Sequence, residues 1–142
     1  MTSTDNGGPV APELPADVYR AGRQDKPWGH EVIFAAVEGK YAGKIIHVTA
    51  GHSLSLQYHL QKEETSSVLS GAALIEYGPA ADSMSSQHLG PGDTIHLPPG
   101  TVHRITAITD LTFAEVSTAA PGWREDVVRL EDKYGRTGTT AP

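Results

Sequence analysis

At 142 residues the chain is long enough for one domain with a buried core and too short for two. Its lack of cysteine removes disulfides and thiolate chemistry, so any metal must be held by nitrogen and oxygen ligands. The formal charge of -6 argues against nonspecific nucleic-acid binding, no run approaches the roughly 18 apolar residues of a membrane span, and the start lacks the basic-then-apolar plan of a signal peptide; a soluble cytoplasmic protein without membrane or nucleic-acid partners is expected.

In chain order, residues 1–21 are rich in Thr, Pro, Gly, Ala and Asp without an apolar period, and read as a disordered or loosely attached arm. A single domain follows over 22–136. Short β-branched runs bounded by turn residues predict strands at Glu31 to Val37, Lys44 to Thr49, Ser53 to Leu60, Ser66 to Leu69 and Ala73 to Tyr77. The Pro79-containing stretch from Gly78 to Gln87 reads as a loop. Further strands are expected at Thr94 to Leu97, His103 to Ile108 and Leu111 to Ser117. A short C-terminal helix over Asp126 to Tyr134 would align Val127, Leu130 and Tyr134. Residues 137–142 read as a flexible tail. Strands this short and this evenly punctuated imply an all-β double-sheet jelly-roll barrel.

Two spacings stand out within these strands. One runs Gly51, five residues, Gln57-x-His59, four residues, Glu64, six residues, Gly71; the other runs Gly92, five residues, Pro98-x-Gly100, two residues, His103. Strand alternation puts Ser53, Ser55, Gln57, His59 and Gln61 on one face and Leu54, Leu56, Tyr58 and Leu60 on the other. A strand with an apolar face and a Gln/His face makes sense when the polar face has something to bind. Imidazole and carboxylate suit zinc, manganese, iron, nickel or cobalt, and Gln61 competes with Gln57 for the weakest ligand position. The isolated histidines His30, His47, His52, His88 and His96 read as ordinary residues.

The paired spacings resemble the two motifs of the cupin superfamily, with Gln57 in place of the first motif's leading histidine and Ala107 in place of the second motif's asparagine. Longer strings narrow the likeness: Lys26-Pro27-Trp28-Gly29, Leu54 to His59, Leu97 to Arg104 and Glu125 to Arg136 together resemble the cupin domain of type II mannose-6-phosphate isomerases. That resemblance implies a small cupin barrel holding a divalent metal on Gln57, His59, Glu64 and His103. It also implies a homodimer, with the N-terminal region a candidate for exchange between subunits. The activity implied is aldose-ketose isomerisation of a phosphosugar, in which an acid or base moves a proton between C1 and C2 and a cation steadies the oxyanion.

Lys44, Lys62, Arg104, Arg129 and Arg136 are the cations available for the substrate. Glu115 supplies a second acid if it points inward, and Lys62, Lys44, Glu115 and Arg136 are the candidate catalytic residues. Arg129 and Arg136 could equally pair with Glu131 and Asp132, and Trp28 and Tyr134 read as core or interface aromatics. The family's Arg-x-Glu-His-Trp run is replaced by Lys62-Glu63-Glu64-Thr65-Ser66, which opens two alternatives. One is another metal-cupin enzyme (a dehydratase, lyase or oxygenase), and the other is a binding module that has lost catalysis.

Overall fold

Period-two alternation builds two facing antiparallel sheets from eleven strands among the described residues, 15–141 of this computed structural model. In order they are β1 (Gly22–Lys26), β2 (Gly29–Val37), β3 (Tyr41–Val48), β4 (Leu56–Tyr58), β5 (Glu64–Ser70), β6 (Ala73–Ala80), β7 (Ser83–Leu89), β8 (Thr94–Leu97), β9 (Val102–Ala107), β10 (Leu111–Thr118) and β11 (Val128–Glu131). The six-stranded sheet runs β1-β2-β3-β10-β5-β8, and the five-stranded sheet runs β11-β4-β9-β6-β7. The chain crosses repeatedly between the sheets, which is the expected jelly-roll barrel.

The inward positions change character along each strand, and this divides the barrel into a core and a site. On β3 the order is Val48, Ile46, then Lys44; on β10 it is Leu111, Phe113, then Glu115; on β9 it is Ala107, Ile105, then His103. Strand register aligns the changes, because Ile46 faces Phe113 and Phe113 faces Val68, while Lys44 faces Glu115 and Glu115 faces Ser66. The apolar rows from both sheets merge into one buried cluster with Trp28, each large side chain contributing about 1.5–3 kcal/mol by leaving water. One step along the same strands the lining becomes ionisable. Tight turns keep this register. Gly71 closes β5 to β6 at φ +88°, and a Cβ there would lie 2.1 Å from the Asp110 carbonyl oxygen, so only glycine fits.

Three expectations are corrected, and one strand was not foreseen. There is no helix over Asp126 to Tyr134: β11 pairs antiparallel with β4, placing Val128 opposite Tyr58 and Arg129 opposite Gln57. A nine-residue helix is marginal in isolation, whereas β11 satisfies its backbone on a ready strand edge. The stretch read as a loop, Gly78 to Gln87, instead completes β6 and forms most of β7. As an edge strand exposing almost every side chain, β7 carries Ser and Gln with no apolar alternation to betray it. β1 was hidden by its polar sequence, and it forms a hairpin with β2 across Pro27-Trp28.

The long strand over Ser53 to Leu60 shrinks to β4 plus one bridge from Ser53 to Thr106. Its two-faced pattern breaks accordingly: Leu54 packs on the core and lines the same cavity as Gln57, while Leu60 and Gln61 are exposed. The arm over residues 1–21 lies mostly outside the described residues.

Candidate metal and anion site

The site begins where β4 meets β9, with Gln57 directly opposite His103. His59 lies one residue past β4, and Glu64 opens β5 between Ser117 of β10 and Leu97 of β8. His59, Glu64 and His103 are all buried, and one ligand-capable atom from each lies within 4.8 Å of the others. His59 Nε2 is 2.9 Å from Glu64 Oε1, and His103 Nε2 is 3.5 Å from the same oxygen.

The hydrogen bonds behind these rings decide what can occupy the space between them. His59 Nδ1 donates to the Asp126 carbonyl and His103 Nδ1 donates to the Thr101 carbonyl. A carbonyl only accepts, so each imidazole carries its proton on Nδ1 and, when neutral, turns an Nε2 lone pair toward the carboxylate. His59 Nε2 and Glu64 Oε1 are both buried without a hydrogen-bond partner. Burial pushes the pKa of His103 down despite the attraction of Glu64, favouring the neutral ring. Burial opposes ionisation of Glu64, yet the His59 contact and the Lys62 charge hold its carboxyl well below the usual range. Buried lone pairs aimed at one point, each oriented from behind, fit a bound divalent cation.

Gln57 lines the same cavity and its Oε1 accepts a hydrogen bond from the Ser55 hydroxyl. Gln61, the competing candidate, stays outside. Glu115 points inward, bordering both the cavity lined by His59 and Glu64 and a smaller apolar recess lined by His103. Burial first, and the Glu64 charge second, raise its carboxyl to about 8. Lys62 is buried with Nζ 3.6 Å from Glu64 Oε2. Burial alone would lower its pKa, but the facing Glu115 and Glu64 carboxylates raise it overall. Lys44 Nζ lies 3.2 Å from Glu31, which is itself buried and also within 3.7 Å of Lys26. Arg136 borders the cavity and grips Asp132 through Nε at 2.8 Å and Nη2 at 3.2 Å. Arg104 is bound instead to Glu76 and Glu131 outside the cavity.

In a chain of net charge -6, six of the eleven Lys and Arg residues line this one cavity: Lys26, Lys44, Lys62, Arg124, Arg129 and Arg136. The cavity opens into an outer cleft that shares all of these except Arg136. Such clustering makes the opening an attractor for an anion.

Sequence reasoning missed Asp126, although it lies inside the closing string. Its carboxylate accepts from the backbone N–H groups of Leu60 (2.7 Å), Gln61 (2.9 Å) and Lys62 (2.9 Å), clasping the turn that carries His59 toward Glu64. No local pattern joins residues 66 apart in sequence. Burial works against the Asp126 carboxylate, but the three N–H donors hold its pKa below the usual value. Its stabilising effect is therefore complete above the unfolded value of 3.8 and is lost as pH falls through the lower folded value. Asp126→Ala should cost about 2–3 kcal/mol at neutral pH, read from the denaturant midpoint, and weaken metal binding by about tenfold. Unchanged stability and metal affinity would show that the clasp is idle.

Comparison with known proteins extends the local match to the whole domain. The profile of the family described as "Mannose-6-phosphate isomerase C-terminal" covers residues 16–132. The alginate biosynthesis protein AlgA of Pseudomonas aeruginosa is 32% identical over 129 residues, covering 88% of this chain and 24% of that protein. The mannose-1-phosphate guanylyltransferase ManC of Salmonella typhimurium is 32% identical over 122 residues, covering 84% and 23%. The chain thus spans about a quarter of the length of these relatives. Among solved structures, the capsular polysaccharide assembling protein CapF of Staphylococcus aureus superposes with a TM-score of 0.66 at 17% identity, over 81% of this chain and 33% of that one. Oxalate decarboxylase of Bacillus subtilis gives 0.68 at 16% identity, over 84% and 34%. These likenesses establish the cupin barrel.

Proposed function

The chain belongs to the mannose-6-phosphate isomerase C-terminal family, and from that premise we propose that it is a metal-dependent aldose-ketose isomerase acting on a sugar phosphate or a related polyhydroxy carbonyl compound. The observation that carries the reading is that His59 and Glu64 of the His59, Glu64 and His103 cluster line one cavity with six cationic side chains. A divalent ion held by these three residues with Gln57 would act as a Lewis acid toward the negative charge that develops on the substrate oxygens.

The chain's own groups supply the rest. The cationic lining binds and orients an anionic phosphate. Glu115, inward and beside Glu64, is placed to take a proton from one of C1 and C2 and return it to the other. Lys62, facing both Glu64 and Glu115, donates toward the oxygens that carry the enediol charge. The remaining walls, including Trp28, Ile46 and Leu54, limit water around the reacting carbons. The zinc, manganese, iron, nickel or cobalt ion, the homodimer and the cytoplasmic setting expected from the sequence belong to the same proposal.

The test is a panel of aldose and ketose phosphates, mannose 6-phosphate among them, offered to metal-loaded protein with and without oxygen. Interconversion at equal rates in both supports the isomerase. Oxygen consumption, or elimination products, would move the assignment to an oxygenase or a lyase.

A further inference from the structure

Arg129 is distinguished from the other cavity cations by its partners. Lys26 and Lys44 share Glu31, Lys62 faces Glu64, Arg124 pairs with Glu38 at 2.6 Å and Arg136 grips Asp132. Arg129 has no carboxylate within 4.0 Å among the described residues, yet it is only 8% exposed. Its Nη1 donates to the Thr139 carbonyl at 3.0 Å, and its Nε is buried with no partner. Burial, and next the neighbouring Arg136 charge, push its pKa below the usual value against the attraction of Asp132. A buried guanidinium with no carboxylate in direct contact is destabilising unless something else supplies the anion.

The fold places this group beside the metal site but apart from it. Arg129 is opposite Gln57 on β4, and Gln57 is opposite His103 on β9, so one cross-sheet row carries all three. Two strand spacings separate the Arg129 and His103 backbones by about 10 Å. Arg129 borders both the cavity lined by His59 and Glu64 and the outer cleft. The Thr139 carbonyl restrains one end of the guanidinium, while Nε is left without a partner.

We infer that Arg129 is the specificity-determining receptor for the phosphate monoester of the substrate, binding it independently of the metal. Planar guanidinium donors match phosphate oxygens in pairs, which an ammonium group does not. The inference rests on the phosphosugar reading for its ligand, but its test does not require turnover.

The probe is inorganic phosphate, titrated calorimetrically into the full chain after metal removal by chelation. Wild type binds it, and Arg129→Gln binds it at least tenfold more weakly while retaining its melting temperature to within a few degrees and its capacity to take up metal. Arg129→Lys, which keeps the charge and guards against a folding artefact, recovers part of the affinity but not all. Arg23→Gln, at an exposed pair with Asp25 outside the cavity and the cleft, changes it less than twofold. Equal phosphate affinity in wild type and Arg129→Gln would overturn the inference, as would binding seen only in metal-loaded protein or none at all. Arg129-dependent phosphate binding without isomerisation would keep this inference and sink the isomerase; isomerisation with unchanged phosphate affinity would do the reverse.

Discussion

Wild-type protein and His88→Ala are expected to hold a divalent metal through dialysis, whereas His59→Ala and His103→Ala are expected to lose most of it. His59 and His103 each direct Nε2 toward Glu64 Oε1, and each ring is fixed from behind by a backbone carbonyl. Removing either takes away a direct ligand, so affinity should fall by more than the roughly 10–100-fold lost when only a supporting partner is changed. His88 sits exposed on the edge strand β7 and controls for the loss of a histidine as such. Elemental analysis of the four proteins after exposure to equal metal decides the matter, and equal metal content in all would dismantle the site. The substitutions also relieve the crowding of unpaired acceptors, so the metal-free variants should melt close to metal-free wild type.

Glu115→Gln is expected to leave the metal in place and reduce kcat by about 10²–10⁴-fold, the range over which a positioned acid or base contributes. The amide keeps the shape and burial of the side chain but cannot exchange a proton. Glu115 belongs to the row Lys44, Glu115, Ser66 across the six-stranded sheet, not to the cluster of His59, Glu64 and His103. Metal content therefore separates a chemical role from a ligand role. A KM nearly unchanged with a collapsed kcat supports proton transfer, and full activity in Glu115→Gln would remove the residue from the reaction. Because Glu115 contacts Glu64, the metal measurement on the same preparation is essential.

The sequence by itself determined the strand period, the jelly-roll class and the three buried residues that converge. Alternation on β8, β9 and β10 is local, and spacing from glycine and proline marks His59, Glu64 and His103 because turn geometry ties side-chain direction to chain position. It could not reveal edge strands whose polar faces look like loops, as with β1 and β7, nor choose between helix and strand for Asp126 to Tyr134.

Tertiary structure decided that last case. The open edge of β4 offered backbone partners that a nine-residue helix could not replace, and β11 thereby turned Arg129 into the barrel. Only the fold joined Asp126 to the Leu60–Lys62 turn, pointed Glu115 inward, and separated Arg136, paired with Asp132, from Arg129, paired with no acid among the described residues. Side-chain pairing at long range depends on where strands meet. Counting charges along a chain shows that cations exist, while register determines which of them share a cavity and which retain a vacant donor.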